Sequence, residues 1–329
     1  MKVISIVIVQ DEADIVEEVL RDAALMTDLV LIYDTGSVDG TLDMICKLQS
    51  EFLNIHIIQN KPVHFHEFET RRHALLLASN YLKDGDWVAW LDADEFFGIK
   101  PSLFIKNYCE FQKHNWIRHR HYNFSPTEVQ VEEYPEYFYS SKFDRTRYIY
   151  YKEYPYTETK LFQYRTSCLK TIVGRNPRWL GSLCCVRIPI LHYPYRTVPQ
   201  IKRRTLLRNF SKKQFSSEVW GRHWKEISLS SALYTLTDTK VKEYYPQIIS
   251  KDLLRLDGCY DSRESRLQRL FTVTKKNVAR IMTIAIGLEC IDKFLSKKLE
   301  VSEPSVRYKD SNFIAEYKKM FLVAEQNDF

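Results

Sequence analysis

The stretch Trp87-Val88-Ala89-Trp90-Leu91-Asp92-Ala93-Asp94-Glu95-Phe96-Phe97 decides how this chain is read, because an apolar run leads straight into two carboxylates two residues apart. Continuous apolar residues over this length suit a strand buried on both faces. In an extended chain residues i and i+2 point to one side, so Asp92 and Asp94 are expected to share one hard cation through carboxylate oxygens, and that cation would hold a diphosphate. An isolated Asp-x-Asp also ends strands simply by solvating the next loop, so the surrounding sequence has to decide.

Working outward, Val3 to Val9 is apolar and β-branched, and Ile15, Val16, Val19, Leu20 and Ala23 follow at helical spacing. Leu29 to Tyr33 reads as a second strand. The turn-rich Asp34-Thr35-Gly36-Ser37-Val38-Asp39-Gly40-Thr41 leads into a helix carrying Leu42, Ile45 and Leu48. Asn54 to Gln59 is a third strand, a helix runs from about Glu69 to Leu82, and Asp84-Gly85-Asp86 turns the chain into the Trp87 strand. This alternation predicts a doubly wound α/β sheet, whose ligands gather at the carboxyl ends of the strands. Three acidic clusters fall at such ends: Asp11/Glu12, Asp34/Asp39 and Asp92/Asp94.

From about Pro101 to Arg196 the pattern is mixed, with short strands expected at Trp116 to Tyr122, Tyr137 to Tyr139, Thr159 to Gln163 and Val186 to Leu191. Beyond Val198 it reads as mainly helical, with periodicity in Ser228 to Leu236, Ile248 to Leu256 and Ile281 to Leu295. The tail from Ser302 is looser, with a last helix at Phe313 to Val323. A domain boundary near residue 215 divides the chain into 1-215 and a helical extension, 216-329.

Composition bounds the class. With 329 residues, 45% hydrophobic and 27% charged, the chain can bury a sizeable core, and nine glycines and eleven prolines argue against linker-rich architecture. Met1 to Val9 is followed by Gln10, Asp11 and Glu12, so it reads as a strand rather than a signal peptide. No segment approaches the ~18 to 20 uninterrupted apolar residues that span a bilayer. Seven cysteines without a Cys-x-x-Cys pair suggest reduced thiols and a cytoplasmic location. The net charge is +6, and the basic run Lys202, Arg203, Arg204, Arg208, Lys212 and Lys213 is read either as a solvated helix face or as a peripheral contact with anionic lipid or an acidic saccharide. Nothing resembles a nucleic-acid reading motif, so no nucleic-acid partner is expected.

Five pieces of the first 200 or so residues resemble, in order, the family 2 glycosyltransferases with the GT-A nucleotide-sugar fold. They are Gln10-Asp11-Glu12-Ala13-Asp14-Ile15, Tyr33 to Thr41, Arg71-Arg72-His73-Ala74-Leu75, Trp87 to Phe97, and His192-Tyr193-Pro194-Tyr195-Arg196. The chain looks most like the branch with an Asn-Glu-Ala-Asp opening and a Leu-Asp-Ala-Asp-Glu-Phe strand end. It departs from that branch at Gln10-Asp11 and at Val38. The resemblance implies a Rossmann-like mixed sheet flanked by helices and an enzyme moving a sugar from a nucleotide-diphosphate donor to a glycan or glycolipid acceptor, as in polysaccharide or surface-glycan synthesis.

It also implies roles. Asp34 would reach the nucleobase, Asp39 would lie by the nucleoside, Glu12 at the nucleotide edge, and Arg71 or Arg72 would hold the base or phosphate side. Asp92 and Asp94 would meet Mn²⁺ or Mg²⁺, and His192 would complete the metal site. Members of this type look like inverting enzymes and need a general base. Glu132, Glu133, Asp144 and Glu158 lie on the acceptor side by order along the chain, with Glu158 preferred and Glu133 second. His64-Phe65-His66-Glu67 reads as a loop that could imitate a metal pair, and Arg118-His119-Arg120-His121 as polar positions flanking a strand. A non-catalytic sugar-nucleotide-binding module and an Asp-x-Asp phosphatase are the alternatives. Asp34, Asp39, Asp92 and Asp94 together count against the first, and Glu95-Phe96 after the motif, with three strand units before it, against the second.

Overall fold

The structure is a computed structural model that describes residues 1–140, 143–154, 157–173, 176–177, 181–214, 232–244, 278 and 306–326. Its first part follows the expected alternation: β1 (Val3–Val9), α1 (Val16–Met26), β2 (Leu29–Asp34), α2 (Thr41–Glu51), β3 (Ile55–Gln59), α3 (Glu67–Ala78) and β4 (Trp87–Asp92). Then come β5 (Glu95–Phe97), α4 (Pro101–Tyr108), β6 (Trp116–Phe124), α5 (Glu128–Glu133), α6 (Pro135–Phe138), β7 (Tyr150–Tyr154), β8 (Thr159–Gln163), α7 (Cys168–Thr171), β9 (Ile172–Val173), β10 (Asn176–Pro177) and β11 (Ile188–His192). Helix α8 (Val198–Gln214), β12 (Val241–Glu243) and α9 (Ser311–Gln326) follow, and short 3₁₀ turns lie at Ser79–Tyr81 and Arg145–Arg147.

Among the described residues the main sheet runs β12-β7-β6-β8-β4-β1-β2-β3, with β11 joined to β5 and β6. Strands β4, β1, β2 and β3 are parallel, β8 is antiparallel to β4, and β6 is antiparallel to β8. This is a mixed α/β sheet flanked by helices, as expected of a GT-A-like fold. β1 lies between β2 and β4, so the chain reverses its direction of winding there and leaves a crevice at the carboxyl ends.

The two-residue period of the buried strands builds two cores. Val3, Val7, Val9, Val30, Ile32, Trp87, Ala89 and Leu91 face one layer together with α1 and α2 residues. Ile4, Ile6, Leu31, Tyr33, Val88 and Trp90 face the other with Ala74, Leu75 and Ala78 of α3. Strands apolar at both parities can only sit in a sheet covered on both sides.

Several expectations change. Tyr137 to Tyr139 is not a strand: Pro135 opens α6, where its fixed φ and missing N–H suit a first helical turn. Residues 233–236 form a bend and turn, with Tyr234 bridging Thr127, rather than the end of a helix. The expected helices at Ile248 to Leu256 and Ile281 to Leu295, and the boundary at 215, fall outside the described residues. The last helix is present and longer, as α9.

The segment before α9 is tied to the far edge of the sheet. The His64 amide donates to the Arg307 carbonyl at 2.8 Å, the Lys309 amide donates to the Pro62 carbonyl at 3.0 Å, and Val63 bridges Tyr308 in antiparallel fashion. These bonds use backbone groups that chain leaving an edge strand would otherwise expose. Helix α9 then packs Phe313, Tyr317 and Phe321 against Leu207 of α8 and Val38.

Candidate active site

The Asp-x-Asp segment does not continue the strand. Ala93 and Asp94 form a tight turn between β4 and β5, so the two carboxylates do not line one side by the two-residue period. Glu95 holds the turn by accepting the Asp92 amide at 2.9 Å, and the Tyr193 amide donates to the Asp94 carbonyl at 2.9 Å. Asp92 turns toward Arg71, whose Nη2 lies 3.4 Å from its carboxylate. Removal from bulk water and then Glu95 raise the Asp92 carboxyl, against the pull of Lys160 and Arg71.

Asp94 turns the other way and is 5% exposed. His192 Nε2 lies 3.4 Å from its Oδ1, and Arg204 Nη1 lies 3.1 Å from its Oδ2. Burial pushes this carboxyl up, but His192 and Arg204 outweigh it and hold the group well below the usual carboxylate range. His192 ends β11, and its Nδ1 is 2.9 Å from Asn123 Oδ1. An amide oxygen accepts, so Nδ1–H donates to Asn123, and Nε2 faces Asp94.

As a site for a divalent cation, this donor set is partial. Among the described residues no three His, Cys, Asp or Glu side chains converge as a cage. Cis ligands about 2.1 Å from an octahedral ion stand about 3 Å apart, which the Asp94–His192 spacing approaches, and Mg²⁺-type ions take one or two protein ligands and leave the rest to water and substrate phosphates. The spacing of the pair is compatible with two adjacent positions around such an ion.

Beneath the turn lies a buried ionic layer. Glu95 and Lys160 pair within the core, and His121 Nε2 is 3.1 Å from the other Glu95 oxygen. The His121 ring stacks on His192 at 4.4 Å, and His119 meets His121 edge-on at 4.7 Å. Burial, then His121 and Lys160, push the His119 imidazole down to about 3, so it is neutral. His119 and His121 were expected to flank a strand; they point inward from within β6, while Arg120 points outward to Glu153 at 2.6 Å. Alternation in Arg118-His119-Arg120-His121 was the available signal, since period two sends both histidines to one face.

Arg71 joins this edge to the start of β8, because its Nη2 also lies 3.9 Å from Glu158, the residue just before that strand. Glu158 is therefore brought to the Asp92 carboxylate. Glu133 is exposed at the end of α5 and accepts from the Tyr134 hydroxyl. Arg72 holds Glu69 at 2.8 Å.

The ends of β1 and β2 form the adjoining edge. Asp34 is buried; its Oδ1 accepts from the Gly36 amide at 2.8 Å, the Ser37 amide at 2.9 Å and the Ser37 hydroxyl at 3.0 Å, while its Oδ2 is buried without a hydrogen-bond partner. Gly36 is required here: its φ is +100°, and an added Cβ would stand 2.7 Å from Pro62 Cα. Asp39 ties two loops together, accepting from the Thr41 amide and hydroxyl and from the Ala13 amide at 3.0 Å. Asp11 accepts from the Val38 amide at 2.7 Å, and burial followed by Asp39 raises its carboxyl to about 6. Glu12 sits at this edge with its carboxylate held by the buried Arg196, which also binds Asp14 at 2.6 and 2.9 Å.

One further expectation, the surface reading of the basic run, is corrected. Arg204, read as part of a surface run, reaches into the site to Asp94 and to the Pro194 carbonyl at 2.7 Å. Arg203 lies over the Phe321 ring at 5.2 Å, Lys202 is exposed, and the side chains of Arg208, Lys212 and Lys213 fall outside the described residues. In the His64–Glu67 segment, His66 caps α3 by accepting the Glu69 amide and His64 packs edge-on against Phe313, so neither histidine approaches Asp94.

Fold and site together define an α/β protein with a cluster of carboxylates paired to basic side chains at the switch point of its sheet, the place where such folds hold nucleotides. No family model matches the chain. Over 90 residues it is 29% identical to an uncharacterized glycosyltransferase of Mycoplasma genitalium, a match covering 27% of this chain and 29% of that protein. Solved structures similar to it include TarS of S. aureus, with a TM-score of 0.27, 19% identity, and coverage of 39% of this chain and 22% of that one. Another is a mannosyltransferase from Pyrobaculum calidifontis in complex with GDP-Man and Mn²⁺, with a TM-score of 0.30, 14% identity, and coverage of 99% and 86%. The chain thus spans under a third of the curated relative. No helix among the described residues is long and apolar enough to cross a membrane.

Proposed function

We propose that the chain is a glycosyltransferase that moves a sugar, with inversion, from a nucleotide-diphosphate donor to a glycan or glycolipid acceptor in polysaccharide or surface-glycan synthesis. The observation that carries this is the convergence, at the carboxyl ends of β4, β1 and β2, of a cation-competent Asp94–His192 pair with the Arg71–Asp92–Glu158 group and the buried Asp34 carboxylate. A phosphate-gripping edge and a base-reading edge side by side are what a nucleoside diphosphate requires.

Asp94 and His192 would hold Mn²⁺ or Mg²⁺ with the donor diphosphate. When bound, the cation supplies Lewis-acid stabilisation of the charge that builds on the leaving group. Asp34 would accept from the nucleobase, as the family resemblance implies. Arg71, 7% exposed and packed over Trp90 at 5.2 Å, would hold a phosphate or the base side with its paired donors. Glu158 takes the proton of the acceptor hydroxyl as that oxygen bonds to the anomeric carbon. The bond from that carbon to the diphosphate breaks, and its electron pair leaves with the nucleoside diphosphate.

The test is a calorimetric panel of UDP-, GDP-, CMP- and dTDP-sugars with and without Mn²⁺. Metal-dependent binding of a donor, lost in Asp94→Ala, is expected. Absence of nucleotide binding under both conditions would instead leave the fold as a scaffold with another ligand.

A further inference from the structure

His119 lies within β6, 1% exposed, and its polar groups are directed at the residues that lead into β8. Its main-chain amide donates to the Glu158 carbonyl at 3.2 Å, and its carbonyl accepts from the Thr157 hydroxyl at 2.8 Å. The Glu158 amide in turn donates to its ring Nδ1 at 3.2 Å. The Glu158 carbonyl is 3.1 Å from the same nitrogen, but a main-chain amide always carries its proton, so the nitrogen at which that proton is aimed accepts. His119 therefore holds the peptide groups on both sides of the Glu158 Cα, and Thr157 ties back to the same residue.

The ladder is irregular at this point. Ile117 pairs with Leu161 but Arg118 pairs with Thr159, so Lys160 is an extra residue on β8. A bulge of this kind bends its strand, disrupts the ladder locally and re-aims side chains, and bulges gather beside active sites. Lys160 is turned inward to Glu95, and Glu158 stands 3.9 Å from the Arg71 Nη2 that lies 3.4 Å from Asp92. A bent strand start next to two cations leaves the direction of the Glu158 carboxylate to whatever fixes its main chain. His119 supplies that fixation from the neighbouring strand.

We infer that His119 is a positioning residue for the base: its ring Nδ1 and main-chain amide hold Glu158 in the orientation at which the carboxylate meets the acceptor hydroxyl. The inference rests on the assignment of Glu158 under the proposed function. His119 itself is enclosed and acts through Glu158 alone. His121, on the same face of β6, pairs with Glu95 at 3.1 Å instead, so the two histidines have separate duties. A carbon in place of Nδ1 would leave the Glu158 amide without its acceptor, and a shift of that peptide relieves the loss.

The experiment compares the full chain with His119→Leu, His119→Asn, Glu158→Gln and the double variant His119→Leu with Glu158→Gln, each shown to be folded by circular dichroism. Asparagine carries an oxygen as many bonds from the main chain as Nδ1 and can accept from the Glu158 amide; leucine cannot. Turnover is read as release of UDP, GDP or dTDP from the sugar nucleotide that binds in the donor panel, with water as acceptor and Mn²⁺ present. His119→Leu should lower kcat about 10- to 100-fold, the scale of a slightly misplaced reacting group, with donor affinity by calorimetry as in the parent. His119→Asn should recover most of the loss. The double variant should be no slower than Glu158→Gln, because a residue that acts only through Glu158 has no further effect once the carboxylate is gone. Amide hydrogen exchange in the peptide spanning residues 157–160 should quicken in His119→Leu and stay near the parent in His119→Asn. Where leucine prevents folding, His119→Gln, whose acceptor lies one bond farther out, takes its place. Parent-like kcat in His119→Leu would overturn the inference and leave Glu158 as the base, and so would a double variant slower than Glu158→Gln by the full factor of His119→Leu. Parent-like turnover in Glu158→Gln, or no release by the parent chain, would remove the base assignment and the inference together.

Discussion

The Arg204 guanidinium lies 3.1 Å from Asp94 Oδ2, on the carboxylate whose other oxygen faces His192. A positive side chain thus neutralises in advance the residue proposed to meet the cation, and the two charges compete for it. Arg204→Gln should raise the affinity for Mn²⁺ alone by about tenfold, the scale of one charge-assisted hydrogen bond. Calorimetry or paramagnetic relaxation of water would show this, and unchanged affinity would mean that Asp94 is not a ligand.

His192 is tested through a residue that would not touch the ion. Asn123 orients the imidazole by accepting from Nδ1. Asn123→Leu should weaken Mn²⁺ binding about 10- to 100-fold, as loss of an outer hydrogen bond to a ligating histidine does. If His192 only packs against His121, Mn²⁺ affinity in this variant will match the parent.

Glu158 and Glu133 are separated by kinetics. Glu158→Gln should lower kcat by about 10²- to 10⁴-fold, the range for a general base, with donor affinity preserved. Glu133→Gln, on an exposed helix end, should leave turnover as it was. Steady-state kinetics paired with donor calorimetry reads both, and normal turnover in Glu158→Gln would pass the role elsewhere.

Lys160 is fully buried against Glu95. Lys160→Met should destabilise the fold by about 3–5 kcal/mol, because it strands a buried carboxylate, and Lys160→Met with Glu95→Gln should recover much of the loss. Urea unfolding of the three chains measures this. Equal stability of the single and double variants would show that the charge finds another partner.

Burial draws the Lys309 ammonium down to about 8, while Asp11 and Asp34 pull it back up; the Phe313 and Tyr317 rings complete its surroundings. Between about 8 and its ordinary value of 10.5 the folded chain binds fewer protons here than the unfolded chain, so this group makes stability rise with pH across that window and contributes no slope below it. Lys309→Met should remove this slope, and urea unfolding of both chains between about pH 7 and 10 would show it; the same slope in the variant would mean that Lys309 is not its source.

Much of the fold was legible because its signals are local. Odd and even positions of β1, β2 and β4 are both apolar, which implies a sheet covered on two faces, and the helices between them show their buried stripe directly. Local signals also misled. The aromatic run at Tyr137 suggested a strand, but Pro135 two residues earlier starts a helix. The two-residue period predicted a shared direction for Asp92 and Asp94, but a tight turn intervenes, so Asp92 meets Arg71 and Asp94 meets His192.

Chain order alone placed Asp34, Asp39, Asp92, Asp94 and His192 at strand ends, because in a parallel sheet every strand presents the same end to the same edge. Their partners were hidden. Arg204 reaches Asp94, Arg196 reaches Glu12 and Asp14, and Tyr317 reaches Asp11 across long separations, from elements whose own periodicity says nothing about where they dock. Hydrophobic patterning says which face of an element is buried, and it does so within a dozen residues. Which charge neutralises which, and which segment walls the pocket, depends on the packing of faces distant along the chain, and the folded molecule alone supplies that.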